Sequence, residues 1–167
     1  MKRGQTNLNF LIGINKPSGM TSHDVVNCIR KITGEGRVGH MGTLDPLASG
    51  VMLIGVGSAA RLNNYLEGFD KTYRVEIEFG AATNTYDAEG EIVEKNDVPA
   101  CISDDSFASE YISKLVGKHM QTPPPFSAIK IDGKPAYKSA RKDEKVDIPT
   151  REIEIYSSKL LECSLNS

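Results

Sequence analysis

Two ionisable residues stand close together in a short segment of glycine and apolar residues, GHMGTLDPLASG. They are His40 and Asp45, and the segment runs from Gly39 to Gly50. A carboxylate in such a setting can act as a general acid or base, as a nucleophile or as a metal ligand. It can also simply initiate a turn, which is the commoner role of a single aspartate before proline. The residue types alone leave these alternatives open.

Known motifs narrow the chemistry of this segment. A phosphate-binding P-loop requires a lysine after its last glycine, and no glycine of the segment is followed by one. A zinc site requires convergent ligands, whereas His23, His40 and His119 lie far apart in unrelated contexts. A Ser-His-Asp triad is compatible with the spacing, but the sequence contains no nucleophile elbow. We therefore expect no metal and no cofactor. A metal-dependent hydrolase that uses His40 and Asp45 is kept as an alternative function.

Hydrophobic patterns predict the elements that surround the segment. A short buried strand is expected from Phe10 to Ile14, followed by a helix with Ser22 as its N-cap and Gly34 as its stop. The apolar run after Gly50 predicts a second buried strand, and Ser58 is expected to cap a further helix.

The second half of the chain predicts shorter elements. Residues 71–80 are expected to form a half-buried strand, because apolar and charged residues alternate there. A turn at Gly90 precedes another strand, residues 103–117 predict an amphipathic helix, and Ile153 and Ile155 lie on one face of a late strand. These elements indicate an α+β fold with a mixed, largely antiparallel sheet flanked by helices.

Composition limits the class of protein. The chain has 167 residues, of which 39% are hydrophobic and 25% charged, so one globular domain is expected. The net charge of −2 argues against a uniformly basic nucleic-acid binder. Three cysteines without a CxxC pair indicate a reducing compartment. We expect a soluble protein of the cytoplasm, because no signal-peptide core or membrane-length apolar run is visible.

One stretch of the chain is strongly basic, although the net charge of the whole chain is slightly negative. Residues 118–142 contain six Lys and Arg residues and one acid, Asp132. The candidate nucleic-acid contacts in it are Lys130, Lys134, Lys138 and Arg141. Such cations can neutralise phosphates, although a solvated charged face is the ordinary role of surface lysines.

Four stretches of the sequence together resemble one family. GHMGTLDPLASGVMLIGVGSAARL resembles the aspartate motif of the TruB-type tRNA pseudouridine-55 synthases, G-H-x-G-x-L-D-P-x-A-x-G. KPSGMTS is similar to the N-terminal motif of that family, and KTYRVEIEFGAATNTYDAEG to its tyrosine strand and following turn. QTPPPFSAIKIDGKPAYKSAR resembles its proline-rich RNA-gripping insertion. The motifs occur in the order of the family and cover most of residues 10–142.

The resemblance implies an activity and the residue that carries it. A uridine in the T-arm of tRNA, at position 55, would be flipped out and isomerised to pseudouridine by exchange of its N1 glycosidic bond for a C5 bond. Asp45 matches the essential aspartate of the family. Whether its carboxylate attacks covalently or removes a ribose proton stays open.

The resemblance also implies substrate contacts and a domain organisation. His40 matches a residue that contacts RNA near the flipped base, and Tyr73 one that packs against the target uracil. From their local context alone, His40 could be a structural histidine and Tyr73 a core residue. The four cations named above would grip RNA from an insertion at about 118–148. Residues 1–167 would form a partial catalytic domain without the C-terminal PUA domain.

The end of the printed sequence departs from the family pattern. The family pattern there is Cys-Ser-x-Gly-Thr-Tyr-Ile-Arg, in which the tyrosine binds substrate and the arginine pairs with the catalytic aspartate, whereas Cys163 and Ser164 are followed here by Leu165, Asn166 and Ser167. We therefore expect a C-terminally truncated synthase with weak or no activity by itself. A non-catalytic tRNA-binding protein is the alternative. The expected partner is the T-arm stem-loop of tRNA, with no membrane and no obligatory protein partner.

Overall fold

The computed structural model describes residues 6–66, 68–122, 130–131, 134–135 and 149–164. Contacts divide the chain into two compact units, Met1–Val75 and Glu76–Ser167, which are described separately below. Every strand pair in these described ranges is antiparallel, and helices accompany the strands in each unit. The structure thus confirms the predicted α+β class with largely antiparallel pairing. Among the same residues, no helix has the length and apolar character needed to cross a membrane.

The first unit is built on a three-stranded sheet and one long helix. Its elements are β1 (Phe10–Lys16), α1 (Ser22–Thr33), β2 (Val38–His40), β3 (Gly50–Val56), a 3₁₀ turn (Gly57–Leu62) and α2 (Asn63–Leu66). The strand order is β1-β3-β2, so β3 is central. Because side chains alternate along a strand, Met52, Ile54 and Val56 share one face of β3. They form the buried core together with Val25 and Val26 of α1.

A capping box fixes the start of α1. The Thr21 hydroxyl accepts a hydrogen bond from the Asp24 amide at 3.1 Å, and the Asp24 carboxylate accepts one from the Thr21 amide at 3.0 Å. The bonds from Thr21 hold the pKa of the Asp24 carboxyl below its usual value. The predicted N-cap, Ser22, was therefore wrong by one residue. The predicted stop is confirmed, since Gly34 ends the helix in the left-handed region at a φ of 69°.

Ser58 does not cap a helix as predicted. The segment after β3 is the 3₁₀ turn, and its N-cap position, Val56, makes no side-chain cap bond. The Ser58 amide and hydroxyl both donate to Asn9 Oδ1, each at 2.7 Å. The serine thus ties this turn to the residue before β1, a contact that local sequence does not reveal.

The strand predicted over residues 71–80 is wrong. Residues 71–79 have no regular secondary structure, and the apolar side chains of the alternating face are exposed, with Tyr73 at 63%. A strand is stable only when a neighbour pairs with its backbone and covers its apolar face. Within the described ranges, no backbone hydrogen bond joins residues 72–79 to a neighbouring strand. The alternation is therefore present in the sequence, but a strand also needs a second strand to pair with, and the alternation does not supply one.

The second unit contains short two-stranded ladders and one helix. Its elements are β4 (Ala81–Thr83), β5 (Ile92–Lys95), a 3₁₀ turn (Ala100–Ser103), α3 (Asp105–Ser113), β6 (Gly117–Gln121), β7 (Lys130–Ile131), β8 (Lys134–Pro135) and β9 (Arg151–Ile155). The pairs are β4-β5, β6-β9 and β7-β8. The expected strand after Gly90, the helix within 103–117 and the strand through Ile153 and Ile155 are confirmed. The sequence did not predict β6.

A buried carboxylate ties the residues before β1 to the loop that precedes β2. Glu35 is 1% exposed and accepts hydrogen bonds from the Thr6 amide, the Thr6 hydroxyl and the Arg37 amide, each at 2.9 Å. These bonds, the one from Arg37 first, hold the pKa of the Glu35 carboxyl below its usual 4.5. The ionised form is thus favoured in the folded state.

This depressed pKa predicts an acid-sensitive contribution to stability. A folded-state pKa below the unfolded value stabilises the protein above the unfolded pKa, and the contribution is lost as the pH falls through the folded pKa. We expect Glu35→Gln to lower the melting temperature at pH 7. The difference from the unsubstituted chain should shrink below about pH 4.5. Thermal unfolding at pH 7 and at acid pH checks this, with the exposed Glu91→Gln as the matched control. A melting difference that stays constant over this range would contradict the assignment.

Candidate active site

Asp45 lies in the loop of residues 41–49 that joins β2 to β3. Its side chain is exposed, and within the described ranges no residue donates a hydrogen bond to its carboxylate. The Asp45 carbonyl accepts a bond from the Ala48 amide at 3.1 Å, which closes a turn around Pro46. The predicted turn thus exists, and it presents the carboxylate to solvent instead of using it as a cap.

The chain on both sides of Asp45 is anchored to one short segment, residues 16–22. On the N-terminal side, the Ser22 hydroxyl donates to the Leu44 carbonyl at 2.8 Å and accepts from the Leu44 amide at 2.9 Å. On the C-terminal side, the Gly19 amide donates to the Pro46 carbonyl at 2.8 Å. The Ser18 hydroxyl donates to the Leu47 carbonyl, also at 2.8 Å. The acid is therefore free at its side chain while its backbone neighbours are fixed.

A buried lysine stands at the base of this arrangement. Lys16 is 0% exposed, and its Nζ donates to the carbonyls of Met20 at 2.8 Å, Pro17 at 3.0 Å and Pro46 at 3.3 Å. An ammonium has three donors, so all of them are used. Because burying a charge without partners costs much free energy, this carbonyl cage is what allows Lys16 to remain inside. It joins the turn after β1 to the turn that carries Asp45.

Two glycines, one in the Asp45 loop and one at the start of β3, are required by backbone conformation. Gly42 has a φ of 124° and Gly50 a φ of 138°, values that other residues rarely adopt. A Cβ at Gly42 would have no heavy atom within 4 Å. Open space at Gly42 is what the predicted approach of a flipped nucleotide requires, and that approach stays a prediction.

His40 is the last residue of β2 and pairs with Ile54 of the central strand. Its ring is half-buried, and Nδ1 is buried without a hydrogen-bond partner in the described ranges. A buried polar atom without a partner is unfavourable, and no described hydrogen bond offsets this cost at His40. His40 and Asp45 are joined by the start of the same loop, and the RNA contact predicted for His40 remains untested.

The other predicted contact residues belong to other elements of the chain than the Asp45 loop. Tyr73 is in the irregular segment after α2, and no hydrogen bond of the described residues links it to the Asp45 loop. Lys130 and Lys134 lie in β7 and β8, whose register pairs Lys130 with Pro135 and Ile131 with Lys134. Lys138 and Arg141 fall outside the described residues.

Sequence reasoning missed the residues that support the acid. The sequence singled out Lys16 only as the first residue of the KPSGMTS motif, and Ser22 only as a helix cap. The signal available was the KPSGMTS stretch itself, in which a lysine ends a buried strand and small residues follow. Nothing local indicates that their partners lie about 22 and 30 residues further along the chain.

Comparison with solved structures defines the class of fold. The chain superposes with a TM-score of 0.55 on a chain of a structure titled "Crystal Structure of a Cbf5-Nop10-Gar1 Complex", at 24% sequence identity. The superposition covers 92% of this chain and 36% of that chain. At this identity the likeness shows a shared fold.

Sequence comparison then identifies the family. Residues 30–167 match the sequence model described as TruB family pseudouridylate synthase, N-terminal domain. Since the match covers most of the chain, the protein belongs to the TruB family of pseudouridylate synthases, as the four motifs predicted.

Individual relatives agree with this membership. The chain is 45% identical over 151 residues to the tRNA pseudouridine synthase B of Caldanaerobacter subterraneus. It is 47% identical over 152 residues to that of Carboxydothermus hydrogenoformans. Each alignment covers 90% of this chain and 52% of the relative. The chain thus spans about half the length of the curated relatives it matches.

Proposed function

We propose that this chain is the aspartate-bearing part of an enzyme that isomerises uridine to pseudouridine in tRNA. The observation that carries the proposal is an exposed Asp45 carboxylate, without a hydrogen-bond partner among the described residues, on a loop whose backbone is fixed on both sides. The fixed backbone limits the region that the carboxylate can reach, so only its side-chain rotamer has to be selected when it meets the reacting atom. Membership of the TruB family and the names of the relatives support the substrate class.

The chemistry requires the target base to leave its stack. Extrusion of a loop uridine costs a few kcal/mol, which contacts to the flipped nucleotide must offset. The N1 glycosidic bond then breaks, the uracil turns, and a bond forms between C5 and the ribose while C5 loses its proton and N1 gains one. Asp45 supplies the carboxylate for this exchange, as nucleophile or as base. His40 and Tyr73 are proposed to contact the RNA and the target base.

The site and the rest of the chain support finer proposals. The T-arm loop at position 55 is the proposed target, residues 1–167 the partial catalytic domain, and about 118–148 the RNA-gripping insertion. Residues 118–121 of that range belong to β6, and Lys130 and Lys134 lie in the β7-β8 ladder. Cys28, Cys101 and Cys163 are free thiols, which supports a cytoplasmic location.

The function is tested with a T-arm stem-loop that carries tritium at C5 of its uridines. We expect tritium to be released from C5 without cleavage of the RNA strand, both with and without a chelator. Binding without release would replace the proposed function by the non-catalytic tRNA-binding alternative. Release or strand cleavage that a chelator abolishes would favour a metal-dependent hydrolase.

The proposed role of the insertion predicts a change in salt dependence. Each lysine that neutralises a phosphate contributes about one unit to the slope of log affinity against log salt. We expect the Lys130→Ala/Lys134→Ala variant to lower that slope by about two when stem-loop binding is titrated between about 50 and 200 mM salt. Lys31→Ala/Lys95→Ala removes the same charge elsewhere and should leave the slope unchanged. Equal slopes for the insertion variant and the unsubstituted chain would exclude these phosphate contacts.

A further inference from the structure

The hydroxyl of Ser22 is committed to the loop of the acid and not to its own helix. Ser22 is the first residue of α1 and is 4% exposed, while the capping bonds of the helix are made by Thr21. Ser22 Oγ instead donates to the Leu44 carbonyl and accepts from the Leu44 amide. One buried atom thus satisfies both backbone groups of the residue that precedes Asp45.

This pair of bonds controls the peptide that leads into Asp45. The Leu44 carbonyl and the Asp45 amide belong to one planar peptide unit, so fixing the carbonyl oxygen fixes the orientation in which the Asp45 backbone begins. The bond from the Leu44 amide holds the preceding peptide as well. Among the described residues, no other side chain hydrogen-bonds to Leu44. The C-terminal anchors are at Pro46 and Leu47. The start of the loop is held by the Met41 amide, which donates to the Leu53 carbonyl at 2.9 Å. Among the described residues, the peptides on either side of Leu44 therefore depend on Ser22.

We propose that Ser22 is a positioning residue for Asp45, acting through Leu44 on the direction from which the carboxylate meets the uridine. The inference rests on the proposed function, since it concerns the rate of that reaction. It does not make Ser22 a catalytic residue, because its hydroxyl is buried and its single donor hydrogen is used by the Leu44 carbonyl. Loss of the hydroxyl should therefore slow the chemical step and leave RNA binding unchanged.

The test compares Ser22→Ala with a matched hydroxyl deletion in the same helix. Thr33 also donates one bond, to the Ile29 carbonyl at 2.7 Å, and accepts one, from the Glu35 amide at 3.2 Å, and neither of these bonds involves the Asp45 loop. A misplacement of about 1 Å can lower a rate about 100-fold. We expect a fall of that size in the single-turnover rate for Ser22→Ala, with the stem-loop Kd changed less than about threefold. Thr33→Ala should lose stability and keep its rate.

Two further substitutions at Ser22 and the amide exchange rate of Leu44 separate the effect of the hydroxyl from the effect of a change in side-chain volume. Ser22→Cys fills nearly the same space with a weak donor, so it should fold and remain at least about tenfold slow. Ser22→Thr keeps the hydroxyl and should recover most of the rate. Amide hydrogen exchange of Leu44, measured without RNA, should accelerate in Ser22→Ala and Ser22→Cys but not in Thr33→Ala.

The outcomes separate this inference from the proposed function. If the unsubstituted chain binds the stem-loop without turnover, the proposed function fails, and Leu44 exchange alone decides whether Ser22 holds the loop. Unchanged exchange in Ser22→Ala would overturn the inference. A single-turnover rate within twofold of the unsubstituted chain, or an equal rate loss in Thr33→Ala, would also overturn it.

Discussion

Asp45→Asn should abolish pseudouridine formation, lowering tritium release from the weak activity expected of this chain to the enzyme-free background. Asparagine has nearly the same size, but it neither ionises nor supplies the electron pair that attack or proton removal requires. The Asp45 side chain is exposed and makes no hydrogen bond in the described ranges. The free energy of unfolding should therefore change by less than about 0.5 kcal/mol. Single-turnover tritium release and urea denaturation measure the two quantities.

The control for this prediction is the same chemical change at an acid that the structure places far along the chain from the loop. Asp97 is exposed and makes no hydrogen bond in the described part of the chain. Asp97→Asn should leave rate, binding and stability unchanged. Turnover that survives Asp45→Asn would show that another residue performs the chemistry.

Lys16→Met should produce the largest loss of stability of any substitution considered. Methionine has a similar length and is apolar, so replacing the lysine removes the cost of burying a charge. The carbonyls of Pro17, Met20 and Pro46 nevertheless remain where they are and lose their common donor. A buried polar group left unsatisfied costs about 1–3 kcal/mol, and two are affected, because the Pro46 carbonyl keeps its bond from the Gly19 amide. The second effect is larger, so we expect the free energy of unfolding to fall by about 3 kcal/mol.

Urea denaturation measures this loss, and Lys31→Met is its matched control. Lys31 is exposed in the last turn of α1, so its replacement should change stability by less than about 1 kcal/mol, including its small interaction with the helix dipole. A Lys16→Met variant as stable as the unsubstituted chain would mean that the carbonyls find other donors. The proposed cage would then not hold the two turns together.

Local sequence was sufficient for three elements of the first unit. The helical spacing of Val25, Val26, Ile29 and Ile32 predicted α1, and the apolar runs of β1 and β3 predicted those strands, because each pattern lies within one element. The N-cap was displaced by one residue, since Thr21 and Ser22 are both good caps and only the tertiary partner of Ser22 distinguishes them. Residues 71–80 have the alternation of a strand, but pairing is a property of a second segment that alternation cannot supply.

In the candidate site too, the sequence predicted what lies within one segment and missed what depends on contacts between segments. The aspartate motif pointed to Asp45 and His40 because both lie within the short stretch Gly39–Gly50. The hydrogen bonds of Lys16 and Ser22 join segments 30 and 22 residues apart, so their roles could be described only after the chain was folded. Lys130 and Lys134 lie in the β7-β8 ladder, and their place in an RNA-gripping insertion stays a prediction.

The most direct test of the account is a nucleoside-resolved analysis of one stem-loop after a single turnover. Saturating chain is incubated with a T-arm stem-loop, binding is verified, and each uridine position is then analysed for pseudouridine. We predict that only the proposed target uridine is converted to pseudouridine, and that this conversion depends on Asp45 and is insensitive to chelators. A saturated complex in which every uridine remains unchanged, or in which conversion persists in Asp45→Asn, would contradict this prediction.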